Sequence, residues 1–127
     1  MSRKKIAAGN WKMNNDFEEA MELTRSVSHM DVPDDVQVIL GVPYVFLKAS
    51  LDVLLHVKGV DVAAQNCHQN EKGAYTGEIS ASMLSSLSVP YVIIGHSERR
   101  AYFNEDNEIL TEKDNQALEN NLNIIIC

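Results

Sequence analysis

Five short apolar runs punctuate this chain, and amphipathic segments separate them. Ile6-Ala7-Ala8-Gly9, Val36–Val42 (VQVILGV), Val60–Ala64 (VDVAA), Tyr91–Ile94 (YVII) and Asn123–Ile126 (NIII) are short and dense in Val and Ile. Such runs predict strands covered on both faces, as parallel strands are. Their starts lie about 24 to 32 residues apart, the span of one strand–loop–helix unit. Between them, residues 17–27 set Phe17, Ala20, Met21, Leu23, Thr24 and Val27 at roughly helical spacing. Asp16 is the expected N-cap there, with Glu18 and Glu19 in the first turn, where the helix dipole favours acids. Pro43 suits the first turn of a second helix running to Leu55. Ser80 or Ser82 starts a third, which ends before Pro90. Residues 108–122 form a fourth, with Ile109, Leu110, Ala117, Leu118 and Leu122 as its apolar stripe.

Repeated strand–helix units imply a parallel sheet, because parallel strands need crossovers, and right-handed crossovers wind the strands in chain order. Five strands are expected but only four following helices, and the sequence stops just after the fifth apolar run. A buried strand with no loop or helix after it leaves an open edge. The expectation is therefore one portion, residues 1–127, of a single larger domain.

Composition narrows the function classes. Hydrophobic residues make up 45% of the chain, enough for a real core. Eighteen acids against 11 bases give a net charge of −7, which disfavours nucleic-acid binding but leaves room for a small anionic substrate held by one or two local cations. Cys67 and Cys127 are the only cysteines, so neither a disulfide framework nor a cysteine metal site is expected, and a reducing cytoplasm fits best. The basic start Met1-Ser2-Arg3-Lys4-Lys5 is not followed by an apolar segment, so no signal peptide is expected. No run approaches the roughly 20 apolar residues of a membrane span.

The chemistry gathers at the ends of the apolar runs. Tyr91-Val92-Ile93-Ile94-Gly95 leads directly into His96-Ser97-Glu98-Arg99-Arg100, and strand C-terminal ends are where α/β folds place their sites. His96 reads either as a site residue or as a satisfied core histidine. Ser97 and Glu98 read as pocket residues or as an ordinary N-cap and first-turn acid of a short helix beginning at Ser97. Lys12 is a rim cation or a solvated lysine, and Asn10 an Asx-turn residue closing the strand. Residues 66–79 are a long polar loop in which Gly73 and Gly77 bracket Ala74-Tyr75-Thr76; it is either mobile surface or a defined turn carrying the central aromatic Tyr75. Trp11 reads as packing and Arg99 as a structural ion-pair member. His29, His56 and His68 share no metal-ligand spacing, and no metal or cofactor is expected.

Three strings decide between these alternatives. Ala8-Gly9-Asn10-Trp11-Lys12-Met13-Asn14 follows the first strand. Ala64-Gln65-Asn66 with Gly73-Ala74-Tyr75-Thr76-Gly77-Glu78 follows the third, and Gly95-His96-Ser97-Glu98-Arg99-Arg100 the fourth. Together they resemble the N-terminal half of the triosephosphate isomerase family, and the resemblance covers essentially the whole chain. It implies a partial (β/α)8 barrel of about five parallel strands and four helices. It also implies the glycolytic and gluconeogenic interconversion of dihydroxyacetone phosphate and glyceraldehyde 3-phosphate through an enediolate.

By that resemblance His96 is the neutral electrophile, a tuning at a helix N-terminus already known for the family. Lys12 holds substrate charge, Asn10 and Ser97 bind substrate, and Glu98 orients and balances Lys12. Residues 66–79 dock into a second subunit of a homodimer, with Tyr75, Thr76 and Gly77 at the tip and Thr76 approaching the partner's Asn10 and Lys12. Cys127 packs beside the active site. The family's glutamate base, its hinged lid and its later phosphate loops match nothing in residues 1–127; Glu105, Glu108 and Glu112 lack the base's context. Residues 1–127 alone are therefore expected to be inactive. The alternative is a non-catalytic half-barrel that self-associates or pairs with a C-terminal half.

Overall fold

Every expected strand forms in the computed structural model, which describes residues 3–127. Met1 and Ser2, the start of the basic N-terminal segment, lie outside the described residues. The strands are β1 (Lys5–Asn10), β2 (Val36–Val42), β3 (Val60–Ala64), β4 (Tyr91–Ile94) and β5 (Asn123–Ile126). Helices α1 (Phe17–Ser28), α2 (Leu47–Leu54), α3 (Ala81–Ser86), α4 (Ser97–Tyr102) and α5 (Asn107–Glu119) alternate with them, and a 3-10 turn at Tyr44–Phe46 leads into α2. The short α4 is the helix expected at Ser97, additional to the four crossover helices. Strand order follows chain order, β1-β2-β3-β4-β5. The registers are parallel, from Lys5 opposite Val36 to Asn10 opposite Gly41, and from Tyr91 opposite Asn123 to Ile94 opposite Ile126. The chain divides into two compact units, residues 1–63 and 64–127.

In the first unit, α1 starts on a reciprocal cap. The Asp16 carboxylate accepts the Glu19 N–H at 2.9 Å, and the Glu19 side chain accepts the Asp16 N–H at 3.2 Å. Two of the otherwise unpaired N–H groups at the helix start are thereby satisfied. The helix packs on α2 and buries Ala20, Met21 and Thr24. Phe17 and Leu23, expected on the same stripe, are 59% and 39% exposed, so the inward face is narrower than the sequence spacing implies. Ile39 and Val42 of β2 are fully buried.

In the second unit, Ser80 caps α3 by accepting the Met83 N–H at 3.1 Å, and Asp106 caps α5 by accepting the Ile109 N–H at 2.9 Å. Helix α5 packs on α3, β4 and β5 and buries Leu110, Lys113 and Ala117. It ends at Glu119, short of the expected Leu122. Asn121 turns to φ +60, and the N–H of Leu122 donates to the Ala117 carbonyl at 2.9 Å. A left-handed residue followed by this backward bond is a stop signal that does not require glycine. Leu122 is buried beyond the helix, whereas Leu118, expected inside, is 62% exposed.

The strands are not equally covered. β2, β3 and β4 are largely buried, but all six residues of β1 are exposed, and β5 is only partly covered. The expectation of two covered faces fails for the first and last strands in the sheet order, which also have a neighbour on one side only. Ile39→Ala should cost about 2–5 kcal/mol, the usual range for a large-to-small change in a packed core. Ile6→Ala, at a side chain 58% exposed, should change stability by no more than about 0.5 kcal/mol. Urea midpoints of the two variants at unchanged m-value check the contrast, and equal costs would contradict this burial.

Candidate active site

The end of β1 is built to hold Lys12 in an unusual backbone state. Its φ is +57, a left-handed conformation that costs a non-glycine residue roughly 1–2 kcal/mol. Neighbouring bonds hold it there. The Asn10 side-chain oxygen accepts the Lys12 N–H at 2.8 Å, the Asx turn named as an alternative role for Asn10. Trp11 is buried, its N–H donates to the Gly41 carbonyl at 2.9 Å, and its own carbonyl accepts from the Asn14 amide at 2.8 Å. Trp11 is thus the packing residue that the sequence predicted. Its burial fixes the turn while Asn10 and Lys12 remain exposed.

The end of β4 prepares His96 in a different way. Gly95 adopts φ +78, and a Cβ there would stand 3.4 Å from both the Arg100 guanidinium and the Leu110 side chain. The glycine therefore permits the sharp exit from β4. His96 then becomes the N-cap of α4, with its Nδ1 accepting the Glu98 N–H at 3.1 Å. An Nδ1 that accepts leaves Nε2 as the ring nitrogen that can donate. The Glu98 carboxylate lies 3.6 Å from the same Nδ1. His96 and Glu98 are half-buried and Ser97 is exposed, so the three expected site residues stand together at the start of α4.

The loop from 66 to 79 has internal structure. The His68 N–H donates to the Ile79 carbonyl at 2.8 Å and closes the loop at its root. The His68 ring packs at 4.6 Å against Tyr75, and its Nε2 lies 3.1 Å from the Asn70 amide. Sequence reasoning passed over His68 because it tested that residue only for metal ligation. Thr76 and Gly77 are exposed at the tip, as is Tyr75 at 45%.

Sequence reasoning also missed a buried charge cluster. Lys113 is only 3% exposed. Its ammonium donates to Asn66 Oδ1 at 2.8 Å and to Glu105 Oε2. The same carboxylate oxygen accepts from Arg99 Nε at 2.8 Å, giving Arg99 its expected structural ion pair. A cavity of about 270 Å³ beside the cluster is lined by His68, Glu78, Arg99, Phe103, Glu105 and Lys113 among others. Burial alone would raise the Glu105 carboxyl, but hydrogen bonds from Lys113 and Arg99, and their charges, hold it below its ordinary value of 4.5. The signal available in the sequence was spacing: Lys113 sits between Leu110 and Ala117 on the inward face of α5. Cys67 is fully buried. Burial, with Asp114 and Glu105 adding to it against Lys113, pushes its thiol up to about 11, so the thiol is unreactive at neutral pH. Among the described residues no group of histidine, cysteine and acidic side chains is placed to hold a metal.

A family profile described as triosephosphate isomerase matches residues 5–127. The chain belongs to the triosephosphate isomerase family. The triosephosphate isomerase of Cytophaga hutchinsonii is 48% identical over 128 residues, covering 98% of this chain and 50% of that protein. Those of Acetivibrio thermocellus and Clostridium botulinum are 49% and 50% identical, covering 100% and 98% of this chain and half of each relative. The chain thus spans about half the length of the curated relatives it matches. Five parallel strands alternating with helices are the elements of a partial (β/α)8 barrel, the fold of the triosephosphate isomerase family.

The buried cluster makes acid stability testable. Because the folded carboxyl of Glu105 lies below its unfolded value, its contribution is complete above about pH 4.5 and is lost as pH falls through the folded value. Glu105→Gln should flatten that part of the stability profile in urea titrations below pH 5. Lys113→Met, which leaves a buried carboxylate short of a partner, should cost about 3–5 kcal/mol at pH 7. An unchanged midpoint would refute the assigned role of the pair.

Proposed function

We propose that this chain supplies the electrophile and the charge-holding half of a triose-phosphate isomerase, which interconverts dihydroxyacetone phosphate and glyceraldehyde 3-phosphate through an enediolate. The observation that carries this reading, in a chain of this family, is His96. Its Nδ1 accepts the Glu98 N–H, which leaves Nε2–H free to donate to a carbonyl or enediolate oxygen without transferring a full proton. Lys12 holds the phosphate and the developing negative charge as a point cation. Asn10 and Ser97 bind substrate, and Glu98 supplies the balancing carboxylate.

The base, lid and phosphate loops of the family match nothing in residues 1–127, so these residues alone are proposed to lack turnover. The reaction is placed in the cytoplasm; Cys67 and Cys127 are both free, which fits a reducing compartment. Among the described residues no helix is long and apolar enough to cross a membrane.

The family's homodimer is proposed as well. Met13 and Val45 are 95% and 79% exposed and line a groove of about 240 Å³ with Asn14, Asn15, Pro43 and Phe46, beside Lys12 in sequence. An apolar groove of this kind suits the Tyr75–Thr76 tip of a second copy. A second reading, a non-catalytic half-barrel that associates through open strand edges, is favoured by the exposure of Ile6 and Ile126 at 58% and 68%.

A coupled isomerase assay tests the function. Residues 1–127 should show negligible turnover, and turnover should appear when the matching C-terminal half of a relative is added. In that reconstituted protein His96→Gln should lower kcat by about 10²–10⁴-fold, the range for a positioned proton-transfer or polarising group. Isomerase rates from residues 1–127 comparable to those of an intact relative would sink the division of labour. A stable oligomer that never gains activity would favour the half-barrel. For the dimer, Tyr75→Asp should shift sedimentation toward the smaller species without loss of helical circular dichroism; no shift would discard the proposed docking tip.

A further inference from the structure

Lys113 takes no part in the reaction proposed above, yet it is buried at 3% exposure on the inward face of α5. Its contacts lead in two directions. Through Asn66 Oδ1, at 2.8 Å, it reaches the residue that opens the loop carrying Tyr75 and Thr76. Through Glu105 Oε2, which also accepts from Arg99 Nε at 2.8 Å, it reaches α4, the helix that His96 caps. The Arg99 guanidinium is itself seated over the Phe103 ring at 4.6 Å.

We propose that Lys113 is a positioning residue that fixes the root of the 66–79 loop and the His96-bearing helix in one register on α5. An ammonium in a low-dielectric interior must keep its acceptors close, because unpaired burial of its charge is costly. Both acceptors are therefore strongly specified in position: Asn66 opens the loop, and Glu105, in the turn between α4 and α5, holds Arg99 of α4. Moving either segment by an ångström or two stretches a charge-assisted hydrogen bond, so displacement of one is resisted by the same group that holds the other. A cation buried only to fill space would need no such pair of acceptors on separate segments. The functional meaning of this arrangement rests on the isomerase reading, but the arrangement is testable without substrate.

The test uses substrate-free chain, with amide hydrogen exchange in the loop and the imidazole ¹⁵N signals of His96 as two separate readouts. Asn66→Ala cuts the loop arm and leaves the Glu105–Arg99 pair. It should speed exchange at the His68 and Glu78 amides at least tenfold while leaving the His96 signals in place. Arg99→Gln cuts only the α4 arm and should shift the His96 signals while loop exchange stays unchanged. Lys113→Met should move both, and Lys113→Arg should restore both at least in part. If Lys113→Met does not fold, the two single-arm variants decide. The proposal is overturned if either single-arm variant leaves its own readout unchanged, if it moves both readouts, or if exchange rises uniformly through β4 and α5, as general destabilisation would produce. Because no substrate is used, failure of the isomerase reading would appear only in the coupled assay and would leave these outcomes interpretable.

Discussion

Parallel pairing is the constraint on which the rest of this structure depends. Two parallel strands cannot be joined by a tight turn, so every strand must be followed by a loop and a returning helix. Each strand's C-terminal end is thus committed to a loop, and each helix to covering the sheet. The chemistry-bearing residues follow from that commitment. Lys12 lies two residues past β1, Asn66 two past β3 and His96 two past β4. None of them is needed for the hydrophobic core, which resides in fully buried side chains such as Ile39, Val62, Val92 and Leu47. The core can therefore hold the loops without constraining their composition.

Burying Lys113 and Glu105 runs against the economy of such a core. An apolar pair of similar volume often gives equal or greater stability, while breaking the ionic pair by removing one member is strongly destabilising. The pair is explicable by specificity. Apolar side chains would let the loop root and α4 settle in several packings, whereas a shared ammonium accepts few geometries. The Arg99 contacts to Glu105 and to the Phe103 ring tighten the same choice.

Much of the fold was legible because the apolar runs were short, dense in β-branched residues and separated by capped helical segments. Asp16, with Glu19 three residues on, announced α1 fully. The third helix ends before Pro90 as expected, but the end of α5 at Glu119 was not legible, because the left-handed residue just beyond it, Asn121, is not glycine. The open edge at β5 was expected, but the exposure of β1 was missed because strand composition does not tell an outermost strand from a central one. For the candidate site, the three motif strings pointed to His96, Lys12, Asn10 and Glu98 by resemblance. Their local geometry, a strained Lys12 and an accepting Nδ1 on His96, had no signature in spacing. Lys113 was hidden because a lysine within an amphipathic helix reads as solvated surface unless its position relative to Leu110 and Ala117 is checked.

The two strand ends reach a similar result by opposite means. At β1 a non-glycine residue is forced to φ +57 and held by Asn10 and the buried Trp11. At β4 the turn falls to Gly95, which adopts φ +78 without a Cβ penalty, so His96 itself is left in an ordinary extended conformation. Under the proposed isomerase reading, the difference fits what each side chain would do. A lysine presents a point charge on a flexible stem and tolerates small errors of direction, so backbone strain directly at Lys12 does little harm to its role. An imidazole that must donate from Nε2 needs its ring plane and tautomer fixed. Moving the strain one residue upstream leaves His96 free to cap α4, and the Glu98 N–H that caps onto Nδ1 then determines which nitrogen carries the proton.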